Sequence, residues 1–97
     1  MFPNMTRPVL NATSLPQGWS VEGEVADALV KSFRFADFAT AFAFLTQVAA
    51  HAEAVDHHPE FTSRWNRVDF RLTSHDAEGI TERDYALARA IDAIADA

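Results

Sequence analysis

Residues 67 to 72 alternate between charged and apolar side chains, and the apolar ones are Val68, Phe70 and Leu72. A period of two is typical of a strand with one buried face. A similar alternation over residues 28 to 35 predicts a second strand. Trp19 and Val21 indicate a short strand ahead of it, and a turn near residues 22 to 24 would join these two strands in a hairpin.

Two segments have the period of an amphipathic helix. In the first, apolar residues recur at spacings of three and four, namely Phe38, Phe42, Leu45, Val48 or Ala49, and Ala52. Asp37 is in position to cap its first turn, and Pro59 requires the helix to end near Val55. In the second, Thr81-Glu82-Arg83-Asp84 resembles a capping box, and the buried side that follows it is predicted to contain Leu87, Ile91 and Ile94.

These elements predict a two-layer α+β fold, in which an antiparallel sheet of about four strands carries two or three helices on one face. Residues 1 to 18 contain three of the four prolines, and we expect an irregular arm there. Residues 19 to 97 are expected to form a single domain. A chain of 97 residues has a small core and a sheet has free edges, so we expect a homodimer or a homotetramer.

Composition and charge narrow the class of function. The chain is 48% hydrophobic and 23% charged, which is typical of a globular protein. Its net charge of -6 argues against direct binding of nucleic acid or of anionic membranes, since both require clustered basic residues. The absence of cysteine excludes thiolate metal sites, and we see neither a signal peptide nor a segment that approaches the ~18 apolar residues of a membrane span. We therefore expect a cytoplasmic protein.

The stretch "EAVDHHPEF", residues 53 to 61, holds two of the four histidines in the chain. His57 and His58 follow the first helix, and His75 follows the strand over residues 67 to 72. The plainest interpretation is that these are loop residues facing solvent. The alternative is an acid–base site, because imidazole both gives and takes a proton near neutral pH and a carboxylate such as Glu53 or Asp56 can hold the ring. A metal site is disfavoured, because adjacent histidines in an extended segment point in different directions.

In chain order, seven residues form the pattern E-x3-HHP-x5-W-x9-H-x8-D, namely Glu53, His57, His58, Pro59, Trp65, His75 and Asp84. This ordered set resembles the signature of the pterin-4a-carbinolamine dehydratases, a family also known as the dimerisation cofactor of a homeodomain transcription factor. The segments "GWSVEG", "FRFADFATAFAFLTQVAAHAE" and "GITERD" resemble that family too, so the likeness covers about 80 of the 97 residues. The triplet HHP alone would be a weak signal, whereas the ordered set is specific.

The resemblance implies a lyase that removes water from 4a-hydroxytetrahydrobiopterin to give the quinonoid dihydropterin, in tetrahydrobiopterin recycling. It implies that His57 is the main proton donor to the leaving hydroxyl, that His75 is a second acid or base, and that His58 positions the substrate. No electrons move in this reaction, so an acid and a base suffice. We therefore expect neither a cofactor nor a metal.

Six further residues are candidates for contact with the pterin: Glu53, Asp56, Pro59, Phe61, Trp65 and Arg83. Each has a plainer alternative. Glu53 either orients His57 or is solvated, and Pro59 fixes the backbone after the histidine pair. Trp65 and Phe61 either stack on a flat heterocycle or belong to the core. Arg83 reaches either the pterin or an acid, and Asp84 is interpreted as a helix cap.

Two features depart from the family pattern. Residues 1 to 18 do not resemble the acidic helix that family members commonly have before the "GW" pair, and Ser74 stands where a threonine is usual before His75. The resemblance also implies an alternative function, because some family members act as coactivators or as assembly factors. The chain would then be a non-catalytic binding module, with its partner surface on the exposed side of the first helix, around Thr40, Gln47 and Ala50.

Overall fold

The computed structural model describes residues 15–23 and 27–97. Within them the elements follow in the order β1 (Ser20–Glu22), β2 (Ala28–Arg34), α1 (Phe38–Val55), β3 (Glu60–Arg64), β4 (Arg67–Leu72) and α2 (Glu82–Asp96). A 3-10 turn at His75–Ala77 lies between β4 and α2. The arm predicted for residues 1 to 18 falls mostly outside the described residues, as does part of the turn predicted near residues 22 to 24.

The strands form one antiparallel sheet in the order β1-β2-β4-β3. β1 and β2 pair as the predicted hairpin. β3 and β4 form a second hairpin, in which Trp65 and Asn66 make the turn, and the connection from β2 to β3 contains α1. The two-layer α+β class predicted from the sequence is confirmed.

The core lies between the helices and one face of the sheet. Val68, Phe70 and Leu72 of β4 are at most 2% exposed, as their alternation predicted. Phe44 of α1 lies among Phe33, Phe35 and Phe70, with ring centroids 5.3, 4.7 and 5.9 Å away. Tilted and edge-on aromatic pairs of this kind contribute about 0.5–1.5 kcal/mol each beyond the burial of their area.

The buried side of α1 differs from the predicted one. Phe38 and Phe42 are 51% and 55% exposed, so their predicted burial is wrong. The residues that face the sheet are Ala41, Phe44, Leu45, Val48 and Ala52. Apolar residues occur on nearly every side of this helix, and a period of 3.6 therefore does not identify the side that is covered.

In the described part of the chain, α1 is the one helix whose length and apolar composition would suffice to cross a membrane. The expectation that no segment approaches such a span is therefore wrong by these two criteria. The same criteria are met by core helices, and one side of α1 does pack on the sheet.

Both helices begin as predicted. Oδ1 of Asp37 accepts a hydrogen bond from Thr40 N at 2.8 Å, which caps α1 and lowers the pKa of Asp37. Thr81 and Asp84 form the capping box that opens α2. These caps satisfy amide groups that have no partner within the helix. The start of α2 is also where the candidate site is built.

A partly buried ion pair ties the first hairpin to α2. Nζ of Lys31 lies 2.8 Å from Oδ1 of Asp92, and the indole N–H of Trp19 donates to the same carboxylate at 3.0 Å. Trp19 is 5% exposed, so its indole N–H requires a partner of this kind. This contact explains how Lys31 occupies an apolar position of β2.

Candidate active site

The end of α1 sets the direction in which the histidine pair leaves the helix. Asp56 follows the last turn in the left-handed conformation, with φ 54°. The backbone N–H of Asp56 donates to Glu53 O at 3.3 Å, and that of His57 donates to Ala52 O at 3.2 Å. These bonds form a Schellman motif, which closes the helix with a defined exit. His57 is therefore part of the helix terminus and not of a free loop.

His57 is held by a buried carboxylate. Its Nε2 lies 2.7 Å from Oδ1 of Asp84, whose side chain is completely buried, and the His57 side chain is 12% exposed. Asp84 was interpreted from the sequence as a helix cap, and the structure gives it this second role. The contact leaves Nδ1 as the ring nitrogen of His57 that is free of Asp84.

The second oxygen of Asp84 receives two further hydrogen bonds. Ser74 Oγ and the backbone N–H of Thr81 both donate to Oδ2 at 2.8 Å. Because the single hydroxyl proton of Ser74 is directed at Asp84, the 2.8 Å contact between Ser74 and Thr81 requires Thr81 to donate. Thr81 in turn accepts from the N–H of Arg83 at 3.2 Å. This chain of donors ends on one carboxylate, and each bond polarises the next.

His58 has a different and more exposed partner. Its Nε2 lies 2.6 Å from Oε1 of Glu53, and the two side chains are 54% and 79% exposed. The expectation that Glu53 orients His57 is therefore wrong, since Asp84 does so. Exposed ion pairs are screened by solvent and contribute about 0–1 kcal/mol. The Glu53 contact orients His58 more than it stabilises the fold.

His75 lies in a short loop that is closed at its base. Ser74 and Gly79 pair through two backbone hydrogen bonds, of 2.9 and 3.2 Å, and His75 opens the 3-10 turn between them. The Arg83 guanidinium donates to Asp76 in this loop, which lowers the pKa of Asp76 and raises that of Arg83. Arg83 thus reaches an acid, one of the two alternatives considered for it. The His75 side chain is exposed.

Two separate segments meet at Asp84. His57 binds one of its oxygens, and Ser74, which directly precedes His75, binds the other. Ser74 is 1% exposed, so this junction is inside the protein. The buried carboxylate therefore joins the segment of the histidine pair to the loop that carries His75.

The remaining candidate residues are distributed along β3. Pro59 precedes the strand and is half-buried, and Phe61, near its start, is 52% exposed with its ring 6.2 Å from that of Phe70. Trp65 lies beyond the other end of β3, which at ~3.4 Å per residue is more than about 13 Å from the histidine pair. Trp65 is 67% exposed, so the interpretation of Trp65 as a core residue is wrong. A single chain does not bring Trp65 to the histidines.

Sequence reasoning missed the central position of Ser74 and Asp84. Asp84 satisfied a complete local pattern, the capping box, and nothing in that pattern indicates a third partner. Ser74 was noted only as a departure from a usual threonine. A polar residue directly before His75 and an acid at a helix N-terminus are each common, and their contact becomes visible only in three dimensions.

The described residues contain no group of three or more His, Asp or Glu side chains that could hold a metal ion. The site offers instead two imidazole groups with carboxylate partners and a third imidazole on an adjoining loop. The candidate site of this small α+β protein thus places histidines against carboxylate partners.

Comparison with known proteins identifies the family. A model of the family described as Pterin 4 alpha carbinolamine dehydratase matches residues 4–94. Two curated relatives are both named "Putative pterin-4-alpha-carbinolamine dehydratase". The protein of Rhizorhabdus wittichii is 57% identical over 70 residues, which are 72% of each chain. The protein of Burkholderia multivorans is 53% identical over 81 residues, 84% of this chain and 78% of its own.

Two solved structures have the same fold. The crystal structure of a transcriptional coactivator/pterin dehydratase from Brucella melitensis has a TM-score of 0.80 at 38% identity, covering 91% of this chain and 98% of that one. A pterin dehydratase-like protein identified as a RuBisCO assembly factor in the alpha-carboxysome has a TM-score of 0.71 at 29% identity, covering 81% of this chain and 90% of that one. The chain belongs to the pterin-4a-carbinolamine dehydratase family, as its histidine pattern predicted.

Proposed function

We propose that this protein dehydrates 4a-hydroxytetrahydrobiopterin to the quinonoid dihydropterin by histidine acid–base catalysis. The observation that carries the proposal is the junction at Asp84, where the histidine pair and the loop of His75 are joined through one buried carboxylate. An acid and a base on neighbouring segments are what the reaction requires. Membership of the family supports the choice of substrate.

The proposed reaction breaks a C–O bond and an N–H bond and forms an O–H bond and a C=N double bond, without any transfer of electrons to a cofactor. The C4a–O bond breaks as the hydroxyl takes up a proton and leaves as water. A ring nitrogen loses its proton, and the electron pair of that N–H bond becomes the new C=N double bond. Loss of hydroxide without protonation is slow, and general acid–base catalysis contributes about 10²–10⁴-fold to steps of this kind.

We assign the main proton donation to Nδ1 of His57, the ring nitrogen that Asp84 leaves free. Asp84 would hold the ring and stabilise the imidazolium, as the carboxylate of a catalytic triad does. We assign His75 as the second acid or base, and its exposure keeps it accessible to a ligand. We assign substrate positioning to His58, which is held by Glu53. Among the other candidates, Phe61 adjoins the histidine end of β3 and is exposed to a flat ligand.

The test is the rate at which freshly generated 4a-hydroxytetrahydrobiopterin disappears with and without the protein. We expect acceleration over the uncatalysed loss, and a decrease of roughly 100-fold in His57→Ala and His75→Ala. His51→Ala is the matched control, since His51 belongs to α1 and, among the described residues, the hydrogen bonds of Asp84 and Glu53 to histidine go to His57 and His58. Equal rates with and without the folded protein would refute the proposal. Wild-type rates in both His57→Ala and His75→Ala would refute the assignment of roles.

A second candidate function is that of a binding module, and a specific surface favours it. One side of α1 exposes the rings of Phe38 and Phe42, whose centroids are 5.8 Å apart. Glu53 is the one acidic or basic residue, apart from His51, in the 18 residues of this helix. An exposed apolar surface of this kind is typical of a protein contact. Two of the similar structures are described as a coactivator and as an assembly factor.

We propose that this surface of α1 mediates self-association, in a homodimer or a homotetramer, and is also where a partner protein would bind. Phe42→Glu should then lower the molecular mass in solution, measured by analytical ultracentrifugation. Ala93→Glu, an equal charge change at an exposed position of α2, is the control. An unchanged mass in Phe42→Glu would refute this surface. Partner binding that is lost in Phe42→Glu and kept in His57→Ala would identify the binding module as a function separate from catalysis.

A further inference from the structure

Three arginines occupy one rung of the sheet. Arg34 of β2 is directly opposite Arg67 of β4, and Arg67 is directly opposite Arg64 of β3. Residues directly opposite each other in antiparallel strands project from the same face. Their neighbours Val68 and Phe70 face the core, so the three arginines project from the other face of the sheet, which we call the open face.

Placing like charges directly opposite one another is destabilising, and here it occurs twice along one rung. It is not a consequence of a basic composition, because the chain has a net charge of -6 and only eight basic residues. The rung therefore concentrates positive charge at one place on an acidic protein. Because this arrangement of arginines destabilises the sheet and nothing in the fold requires it, it indicates that the arginines bind a ligand.

In the part of the chain that the structure describes, Asp69 is the carboxylate that interacts with the rung. Asp69 accepts from Nε of Arg67 at 2.8 Å, and it also accepts from Ser32 Oγ at 2.6 Å. Arg64 interacts with Asp69 electrostatically and without a hydrogen bond, and Arg34 has no hydrogen bond or ion pair within the described residues. Arg34 and Arg64 are exposed. Among the described residues, the three guanidinium groups thus share one acid, and Arg34 and Arg64 make no hydrogen bond or ion pair of their own.

A shallow depression of about 470 Å³ lies on the open face beside the rung. The next rung of the sheet, Ser32, Asp69 and Thr62, contributes to its lining, so hydroxyl and carboxylate groups line it on the side of the arginines. Its volume lies in the range of sites for small molecules, about 300–1,000 Å³. The three arginines do not line the depression themselves, but they occupy the rung next to Ser32, Asp69 and Thr62 on the same face of the sheet.

We propose that the open face binds a small phosphorylated molecule, with its phosphate on Arg34, Arg67 and Arg64 and its hydroxyl-bearing body in the depression beside them. The guanidinium fork matches the oxygens of a phosphate in a bidentate arrangement, and guanidinium is less strongly hydrated than ammonium. The Ser32, Thr62 and Asp69 side chains supply the hydrogen-bonding groups that a sugar or polyol requires. This site is on the side of the sheet opposite the core and the helices, and the inference does not depend on the dehydratase activity.

The test is isothermal titration of the full chain, at low ionic strength, with ribose 5-phosphate, inorganic phosphate and ribose as probes. We expect saturable binding of ribose 5-phosphate, weaker binding of phosphate and none of ribose. Arg34→Gln and Arg64→Gln should each weaken ribose 5-phosphate by about fivefold, the upper value for one exposed ion pair. Arg89→Gln, an exposed arginine of α2 away from the sheet, makes the same charge change and should leave the affinity unchanged.

Saturable binding that falls in both rung variants and persists in Arg89→Gln would establish the site. The absence of saturable binding of every probe to the wild-type protein would overturn the proposal. An equal loss in Arg89→Gln would also overturn it, because net charge and not the rung would then be responsible. Equal affinities for phosphate and ribose 5-phosphate would overturn the part assigned to the depression. Urea unfolding of each variant verifies that the rung variants are folded.

Discussion

Asp84→Asn is the substitution that most directly tests the junction between fold and site. The amide has nearly the shape of the carboxylate but only one oxygen acceptor. Ser74 Oγ and Thr81 N–H both donate to one oxygen of Asp84, so the amide oxygen is expected to remain on that side and keep the helix cap. The NH2 group then faces His57 Nε2, which must become the acceptor. His57 would change its tautomer, and the negative charge beside it would be lost.

The magnitude follows from the hydrogen bonds of Asp84. Hydrogen bonds to a charged group contribute about 1.5–3 kcal/mol and those between neutral groups about 0.5–1.5 kcal/mol, so the three hydrogen bonds of residue 84 with His57, Ser74 and Thr81 all become weaker. The variant no longer buries a charge, which offsets part of this loss. We expect the free energy of unfolding to fall by roughly 1–3 kcal/mol. In a domain of this size each kcal/mol corresponds to about 4–8 °C in Tm.

The assays are urea unfolding followed by circular dichroism and the rate of dehydration of 4a-hydroxytetrahydrobiopterin. We expect the rate to fall by roughly 100-fold, because without the carboxylate charge the imidazolium form of His57, the proposed proton donor, is no longer stabilised. Asp96→Asn, at the exposed end of the same helix, makes the same chemical change and should alter neither quantity. A variant that loses stability but dehydrates at the wild-type rate would refute the coupling of Asp84 to His57, and one that loses neither would refute both roles.

Three further predictions concern the fold. Phe44→Ala should lower the free energy of unfolding by roughly 3–5 kcal/mol, whereas Phe42→Ala, measured where the chain is monomeric, should lower it by less than about 1 kcal/mol. Equal urea midpoints for the two variants would contradict the observed buried side of α1. Trp65→Asn should raise the free energy of unfolding by up to about 1 kcal/mol, because Trp65 has φ 51°, a conformation that strains a bulky residue and that Asn tolerates. A lower Tm in this variant would contradict the prediction. The hydrogen bond from Ser32, followed by that from Arg67, lowers the pKa of Asp69 below 3.8. A carboxyl group with a lowered pKa stabilises the folded state above pH 3.8, and this stability is lost as the pH falls through the folded-state pKa. Ser32→Ala should therefore make the urea midpoint less sensitive to pH between about 5 and 3. An unchanged sensitivity to pH would contradict the hydrogen bond from Ser32 as the cause of the lowered pKa.

The strands that could be predicted are those with one buried face. β4 alternates between core and solvent along its whole length, so its period of two is explicit in the sequence. β3 was not identified as a separate strand, and all five of its residues are exposed. An edge strand that buries neither face has no reason to alternate, and its pairing with β4 is determined by the turn at Trp65 and Asn66. Its existence was implied only by the expected number of strands.

The side of α1 that packs on the sheet could not be predicted for a related reason. Periodicity identifies a buried side when the other side is polar, and in α1 the outer side contains Phe38 and Phe42. If another chain covers that side, both sides of α1 are buried in the assembly, and this would explain why both sides are apolar in the sequence. The candidate site was predicted as a set of residues, because family patterns record identity and order. The pairing of His57 with Asp84 and of His58 with Glu53 depends on distances that no linear pattern records.

Asp84 has two roles, because it completes the capping box of α2 and also binds the side chain of His57. We expect some relatives to need only the first of these roles. A relative that has lost catalysis but kept its scaffold would still require the acid at this position for its second helix to begin. Its retention would then say nothing about turnover, and the imidazole that faces it would be the informative residue.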